Sequence, residues 1–279
     1  MKIFDVHTHV FPDQIAARAL QHLQEKSHGL PVYSDGTREE QLRHASALGY
    51  DGMMNCPVLT NPGQMRSVND WVASWNKWPY LSMGGVHPEA DNLADEIKRI
   101  KELGLHGVKL HPEYQEFTIL ERRMEVVWAA CEALALPVLV HAGNDIGFPE
   151  PAHSCPADFA ELARRYPGLE IICAHMGGWR CWDQVENDLA GHRVWLDTSF
   201  ALPYMPDQAQ FKRLILKHGV DRSLFGTDSP WQSLQNGLNE ILLLDLPDED
   251  KEKILWGNAA KLFKLDNLAG GESGSYEQG

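Results

Sequence analysis

The sequence predicts a single α/β domain folded as a closed (β/α)8 barrel, the TIM barrel, with an inserted segment after the first strand. Eight short apolar runs recur along the 279 residues, and stretches of helical length separate them. Most of these runs lack polar alternation, as parallel strands do when both faces are covered. No Gly-x-Gly-x-x-Gly turn follows the first run, which disfavours an open doubly wound sheet.

The eight apolar runs have the length of buried strands, and a βα unit repeated eight times is typical of a closed parallel barrel. The predicted strands are Ile3–His9, Gly52–Val58, Leu81–His87, Gly107–His111, Val138–His141, Glu170–His175, Val194–Thr198 and Leu224–Asp228.

The helix candidates end at stop signals. Gly49 and Gly104 follow two of them in the position of a C′ glycine, and Pro137 and Pro167 follow two others. The predicted helices are Asp13–Lys26, Arg38–Leu48, Asp91–Leu103, Glu121–Leu134, Pro156–Tyr166, Pro206–His218, Leu234–Leu244 and Asp248–Phe263.

The connection after the first strand, residues 10–49, is unusually long and carries the helix Asp13–Lys26 and a loop with glycine and proline. Because it leaves the carboxyl end of a barrel strand, we expect it to lie over the active face. We expect the barrel to span residues 1–265 and residues 266–279 to form a polar, Gly-rich tail.

Composition excludes several classes of partner. The 25 basic residues stand against 39 acidic ones, a net charge of −14, and phosphate binding needs a basic surface, so no nucleic-acid partner is expected. No apolar stretch approaches the roughly 18 residues that span a bilayer, and no signal-like segment precedes the first strand. Five cysteines without C-x-x-C spacing fit reduced thiols. We expect a cytoplasmic protein that acts on a small molecule away from membranes.

Histidines accumulate where the predicted strands end. His7 and His9 alternate on the first strand, so they point to the same face and form half of a metal site. A pair of exposed strand histidines is the alternative. Barrel enzymes place their catalytic groups at the carboxyl ends of strands. The other polar residues at such ends are His87, Lys109, His111, His141, His175 and Asp228.

Five motifs at these strand ends resemble those of the metal-dependent amidohydrolase superfamily, and most of all its amidohydrolase-2 branch, which contains aminocarboxymuconate-semialdehyde decarboxylase. The resemblance runs from about Lys2 to Leu265. The motifs are Phe-Asp-Val-His-Thr-His, Gly-Val-Lys-Leu-His-Pro, Val-Leu-Val-His-Ala-Gly, Ala-His-Met-Gly-Gly and Leu-Phe-Gly-Thr-Asp-Ser-Pro-Trp.

The resemblance implies that His7, His9, His141 and Asp228 bind one divalent metal ion, and that His175 is an acid/base group beside it. Three imidazoles and a carboxylate suit Zn²⁺ with an open position for water. Asp228 would share the handling of protons with His175. The resemblance also implies a homodimer.

Lys109 keeps three interpretations open. Elsewhere in the superfamily a carbamylated lysine at this strand bridges two metal ions, so that His141 and His175 would hold the second ion. In the branch that the chain most resembles, the lysine is not generally a ligand. Lys109 and His111 would then bind an anionic group of the substrate, or Lys109 would be purely structural. Arg180 is a further candidate for binding a carboxylate through two hydrogen bonds.

The expected function is a metal-dependent hydrolase in which metal-activated water attacks a small, anionic lactone, ester or amide. The alternative is a metal-dependent, non-oxidative decarboxylase of a small unsaturated carboxylate, which would use the same ligands. A barrel that binds a ligand without catalysis is a third hypothesis. It is disfavoured because a complete ligand set beside a free histidine serves no evident purpose in binding.

Overall fold

The computed structural model describes residues 1–269, and it contains a strand at each of the eight predicted positions. The third predicted strand is divided at Met83 into two segments, because the pairing changes there. Met83 N donates to Asn55 O on one side, and Gly84 N donates to Gly107 O on the other. The strands are β1 Phe4–Thr8, β2 Gly52–Asn55, β3 Tyr80–Ser82, β4 Gly84–Gly85, β5 Val108–Leu110, β6 Val138–Val140, β7 Ile171–Cys173, β8 Trp195–Asp197 and β9 Ser223–Leu224.

All neighbouring strands are parallel, in the order β1-β2-β3 followed by β4 to β9. The chain closes on itself between β1 and the segment after β9. Val6 N donates to Phe225 O at 2.9 Å, and Asp228 N donates to His7 O at 2.8 Å. The predicted closed barrel is therefore confirmed, and closure sets Asp228 beside His7.

The eight predicted helices are present. The described residues add four helices that the sequence analysis did not predict: Met65–Ala73, which follows β2, and the short helices Pro112–Gln115, Trp182–Gln184 and Asp266–Ala269. The predicted helix Asp248–Phe263 consists of two helices joined by a π-helical turn at Lys253–Gly257. The α-helices are α1 Asp13–Lys26, α2 Arg38–Ala47, α3 Met65–Ala73, α4 Leu93–Glu102, α5 Pro112–Gln115, α6 Glu125–Ala133, α7 Pro156–Arg165, α8 Trp182–Gln184, α9 Ala209–His218, α10 Leu234–Leu242, α11 Asp248–Glu252, α12 Asn258–Phe263 and α13 Asp266–Ala269.

Strand β6 shows why its sequence is apolar throughout. Val138 and Val140 belong to a large apolar cluster that includes residues of the surrounding helices. Leu139, between them, belongs to a second cluster with residues of other strands. Both faces of the strand are therefore covered. Lys109 pairs with Leu139 in the sheet and is 1% exposed, so its ammonium side chain lies inside the barrel.

The inserted segment after β1 carries α1 and α2 and is joined to the end of the barrel. Phe11 N donates to Gly36 O at 2.9 Å within it, and Tyr33 N donates to Pro230 O at 2.8 Å. Helix α13 occupies the start of the predicted tail, whose residues 270–279 lie outside the described residues. Within residues 1–269, no helix combines the length and the apolar character needed to cross a membrane.

Candidate metal centre and pocket

Three predicted metal ligands meet at the carboxyl end of the barrel. His7 lies in β1, His9 follows directly after the strand, and Asp228 lies in the segment after β9. Nε2 of His9 lies 2.9 Å from Asp228 Oδ1, and Nε2 of His7 lies 3.4 Å from the same oxygen. Burial alone would raise the pKa of Asp228, but the adjacent His7 and the hydrogen bond with His9 hold it below its usual range. Asp228 is therefore an ionised carboxylate facing two imidazoles.

Asp197 orients the imidazole of His7. Its Oδ2 lies 3.0 Å from His7 Nδ1, and Ser199 Oγ lies at the same distance. Burial and the charge of Lys109 hold the pKa of His7 well below its usual value, so the ring is neutral. A neutral ring that donates through Nδ1 has its lone pair on Nε2. This lone pair faces an oxygen of Asp228. Because two acceptors that face each other in a buried site repel, a bound cation would stabilise them.

Lys109 contacts the same nitrogen of His7. Its Nζ is 2.9 Å from His7 Nε2, and burial lowers the pKa of the amine. From this position Lys109 can fill any of its three predicted roles. It can bind an anionic group of the substrate, act as a metal ligand after carbamylation, or be purely structural. The choice between one and two metal ions stays open.

His141 and His175 also direct two nitrogen lone pairs toward each other, as His7 and Asp228 direct two acceptor atoms. Nε2 of His175 lies 3.0 Å from Nδ1 of His141. The outer nitrogens have carbonyl partners, because His175 Nδ1 lies 3.1 Å from Ser199 O and His141 Nε2 lies 3.1 Å from Asn144 O. Burial lowers the pKa of His175 to about 4 and that of His141 to about 3, so both rings are neutral. The two facing nitrogens therefore suit a shared proton or cation.

The predicted four-ligand set is gathered only in part. The ligand atoms of His7, His9 and Asp228 lie within 4.8 Å of one another, and His141 is not in that group. It lies beyond His175 and stacks on His111, with ring centroids 4.1 Å apart. The role of His141 as a fourth ligand stays a prediction.

His111 lines the pocket as predicted, whereas Arg180 does not. Nε2 of His111 lies 3.4 Å from Asp145 Oδ2, and burial lowers the pKa of the imidazole to about 4. Arg180 is exposed, and its guanidinium lies 4.3 Å from the ring centroid of its neighbour Trp179. The structure therefore brings Lys109 and His111 to the site but leaves Arg180 outside it.

Sequence reasoning missed two acidic residues. Asp197 is the last residue of β8, so the rule that selected the other strand ends would also have selected it. Asp145 lies in the loop after β6, where no positional rule applies. Burial alone would raise its pKa, but the hydrogen bond with His111 and the nearby His141 lower it. Both carboxylates touch predicted site residues.

The backbone at the site is strained. His175, Phe200 and Asp228 have φ values of 57°, 50° and 63°, a region that residues other than glycine rarely adopt. Such residues cluster at functional sites, where surrounding contacts keep them in place. Here the strain occurs at the two residues predicted to handle protons.

Gly143 fixes the spacing between His141 and His175. Asn144 N donates to Trp179 O at 2.9 Å, so the loops after β6 and β7 pair with each other. Gly143 has a φ of 84°, and a Cβ at this position would collide with the backbone of Trp179. Only glycine permits this close approach, which sets the two imidazoles side by side.

A cavity of about 370 Å³ opens above these residues. Its base is formed by the imidazoles, Lys109, Asp145 and Asp228, and its walls are mainly apolar. Three wall residues, Ile15, Ala19 and Leu23, come from α1, so the inserted segment lies over the active face as expected. A concave, largely apolar pocket with converging polar groups is the usual form of a small-molecule site.

Comparison with known proteins places this geometry in context. A family model described as Amidohydrolase (Amidohydro_2) matches residues 4–265. A gamma-resorcylate decarboxylase of Polaromonas sp. (strain JS666 / ATCC BAA-500) is 26% identical over 223 residues, which cover 62% of this chain and 66% of that relative. The chain thus spans slightly less than two thirds of this relative's length.

Two solved structures share the fold. An uncharacterized TIM-barrel protein from Bordetella bronchiseptica superposes with a TM-score of 0.74 at 20% identity, covering 97% of this chain and 100% of that one. A dihydroxybenzoic acid decarboxylase from Polaromonas sp. JS666, with bound manganese and the inhibitor 2-nitroresorcinol, gives 0.69 at 19% identity, covering 95% and 97%.

These findings correct the main functional expectation from the sequence. Hydrolysis of a lactone, ester or amide was wrong as the leading hypothesis, because the curated relatives are named as decarboxylases. The findings support the alternative, which assigned the same residues to decarboxylation.

Proposed function

The chain belongs to the amidohydrolase family, and on that premise we propose that it is a metal-dependent, non-oxidative decarboxylase of a small aromatic carboxylate. The observation that carries the proposal is the meeting of His7, His9 and Asp228 beside the neutral His175 at the base of the cavity. The names of the relatives support this reaction rather than hydrolysis.

The donor set fits a divalent metal ion. His7, His9 and Asp228 would hold it, with His141 as the proposed fourth ligand. When bound, the ion supplies positive charge that orients the substrate oxygens and stabilises negative charge on them. Imidazole and carboxylate ligands accept either Zn²⁺ or Mn²⁺. The manganese in the related decarboxylase makes Mn²⁺ a second proposal beside Zn²⁺.

In the proposed reaction the bond between the ring carbon and the carboxylate breaks, CO₂ leaves, and the ring carbon gains a proton. We assign delivery of that proton to His175. Its Nδ1 is directed to Ser199 O, so only Nε2 can carry the proton to the cavity. The negative charge of a bound carboxylate favours protonation of the imidazole. Lys109 contributes a donor at the base that can bind the carboxylate or a ring oxygen.

The experiment measures CO₂ release from 2,6-dihydroxybenzoate and related hydroxybenzoates, with hydrolysis of a lactone such as dihydrocoumarin as the comparison. Protein stripped with a chelator should lose CO₂ release and regain it with Mn²⁺ or Zn²⁺. In D₂O, the product should carry deuterium at the carbon that lost CO₂. Full CO₂ release by the stripped protein, or lactone hydrolysis in its place, contradicts the proposal.

A small-molecule substrate follows from the proposed reaction, and the homodimer implied by the family resemblance stays a proposal. Sedimentation velocity at micromolar concentration tests it, with one species at twice the 31.4 kDa chain mass as the expected result.

A further inference from the structure

The cavity above the candidate metal centre has two chemically different parts. Its base carries the imidazoles, the lysine and the carboxylates described above. The other part, which we call the apolar arm, is lined mainly by apolar side chains, with His22, Thr60 and Gln64 as polar neighbours, and it belongs to the same cavity as the base. The apolar arm consists of Ile15, Ala19, Leu23, Val58, Val68 and Trp71.

Helix α1 contributes one complete face to the apolar arm. Ile15, Ala19 and Leu23 are four residues apart, so they lie on one side of the helix. The helix is packed against the protein by other residues, Ala16 and Leu20, which are 2% and 5% exposed. Ile15, by contrast, is 41% exposed. The apolar face toward the cavity is therefore not needed to fix the helix.

Helix α3 contributes a second wall in the same way. Val68 and Trp71 are three residues apart and line the cavity, while Met65 and Val72 are buried in the core. Both Val68 and Trp71 are only partly buried. Two apolar helix faces that enclose a cavity instead of packing against each other indicate a binding site for an apolar group.

Helix α1 forms a fixed wall of the apolar arm, because contacts hold the helix in place at both ends. The Lys26 ammonium, at the end of α1, lies 4.3 Å from the ring centroid of Tyr114 and 3.8 Å from that of Phe148. These rings belong to the opposite side of the barrel mouth, and cation–π contacts join the helix to them. At the other end, Phe11 N is bonded to Gly36 O.

The size of the cavity decides what it can hold. An apolar cavity of about 150 Å³ holds one benzene molecule, and this cavity measures about 370 Å³. It can therefore accommodate a benzoate ring and an apolar group of similar size. We propose that the substrate is an aromatic carboxylate with an alkyl substituent, whose carboxylate binds at the base and whose alkyl chain occupies the apolar arm. This inference rests on the proposed decarboxylase function.

The kinetic test compares 2,6-dihydroxybenzoate with its 4-alkyl homologues from methyl to pentyl. Each methylene that enters the arm should raise kcat/KM about fourfold, the factor that corresponds to burial of one methylene. Ala19→Phe fills the arm and should abolish this increase across the series. Ala17→Phe, on the exposed side of the same helix, is the matched control and should retain the increase. Val68→Phe provides a second filling variant should Ala19→Phe not fold.

A binding measurement separates the two proposals. Calorimetric titration with 5-pentylresorcinol, the product that 4-pentyl-2,6-dihydroxybenzoate gives on losing CO₂, should show binding to the wild type and at least tenfold weaker binding to Ala19→Phe. If the unsubstituted acid loses CO₂ but longer homologues react and bind no better, the inference about the arm is overturned and the proposed function stands. If no acid loses CO₂ while 5-pentylresorcinol binds in an Ala19-dependent way, the decarboxylase proposal fails and the apolar subsite stands.

Discussion

Replacing Asp197 with asparagine tests how His7 is prepared for metal binding. Asp197 is fully buried, and its Oδ1 accepts hydrogen bonds from the backbone N–H groups of His175 at 3.0 Å and Ser199 at 3.1 Å. Its Oδ2 accepts the Nδ1–H of His7 at 3.0 Å. An asparagine has one oxygen for these donors. We expect that oxygen to remain with the two backbone groups, so the amide NH₂ faces His7.

The expected loss of metal affinity follows from a change in the tautomer of His7. Facing an NH₂ donor, the ring must accept at Nδ1 and carry its proton on Nε2, the nitrogen directed toward Asp228. A protonated nitrogen has no lone pair for a metal ion. Replacing the partner that orients a ligating histidine costs 10–100-fold in metal affinity, which corresponds to about 1.4–2.7 kcal/mol.

The assay is calorimetric titration of chelator-stripped protein with Mn²⁺ and with Zn²⁺. Asp5→Asn is the matched control, because Asp5 lies in β1 and is equally buried, but it accepts hydrogen bonds from the backbone N–H groups of His7 and Thr227 rather than from an imidazole. Burial raises the pKa of Asp5 to about 7, so the neutral amide replaces an acid that is about half protonated at pH 7. Asp5→Asn should bind metal as the wild type does. A folded Asp197→Asn variant with wild-type affinity would refute the reasoning.

Three further predictions concern the proton donor, the backbone and the pH. His175→Gln should lower CO₂ release by about 10²–10⁴-fold while retaining Mn²⁺ binding, and loss of both together contradicts its assigned role. Gly143→Ala should lower the free energy of unfolding in urea by more than about 2 kcal/mol, because its Cβ meets backbone, whereas Gly49→Ala, with a similar φ and open space, should cost about 1 kcal/mol. Burial lowers the pKa of His218 to about 4, and an unfolded histidine gains a proton below about pH 6.5, so His218 alone should lower stability by about 2 kcal/mol between pH 6.5 and pH 5, in addition to the losses from the buried site histidines. A His218→Asn variant should lose correspondingly less, and an unchanged pH slope would contradict this origin.

The sequence predicted the barrel because its strands carry a strong signal. A run such as Val138–Val140 must be apolar on both faces, and that requirement is readable without a structure. Helix α3 was missed because it is only nine residues long, and because Pro62 and Gly63 before it and Ser67, Asn69 and Asp70 within it favour turns. Its buried positions include Asn69, whose amide bonds Gly85 O, a contact that only the tertiary structure defines.

The site was predictable where a residue ends a strand and unpredictable where a loop supplies it. His7, His9 and Asp228 follow from position in a barrel. Asp145 reaches the pocket through the path of a loop, which the sequence does not encode in any local pattern. Arg180 was selected for its chemistry and sequence position, but its backbone has a φ of 58° and its side chain stacks on Trp179.

Anomalous diffraction from crystals of the Mn²⁺-loaded protein, recorded on both sides of the manganese edge, tests the central claim most directly. We predict a peak about 2.2 Å from Nε2 of His7, Nε2 of His9 and Oδ1 of Asp228. No peak at that position, or one bound by other residues, would contradict the proposed metal centre and the decarboxylase function that depends on it.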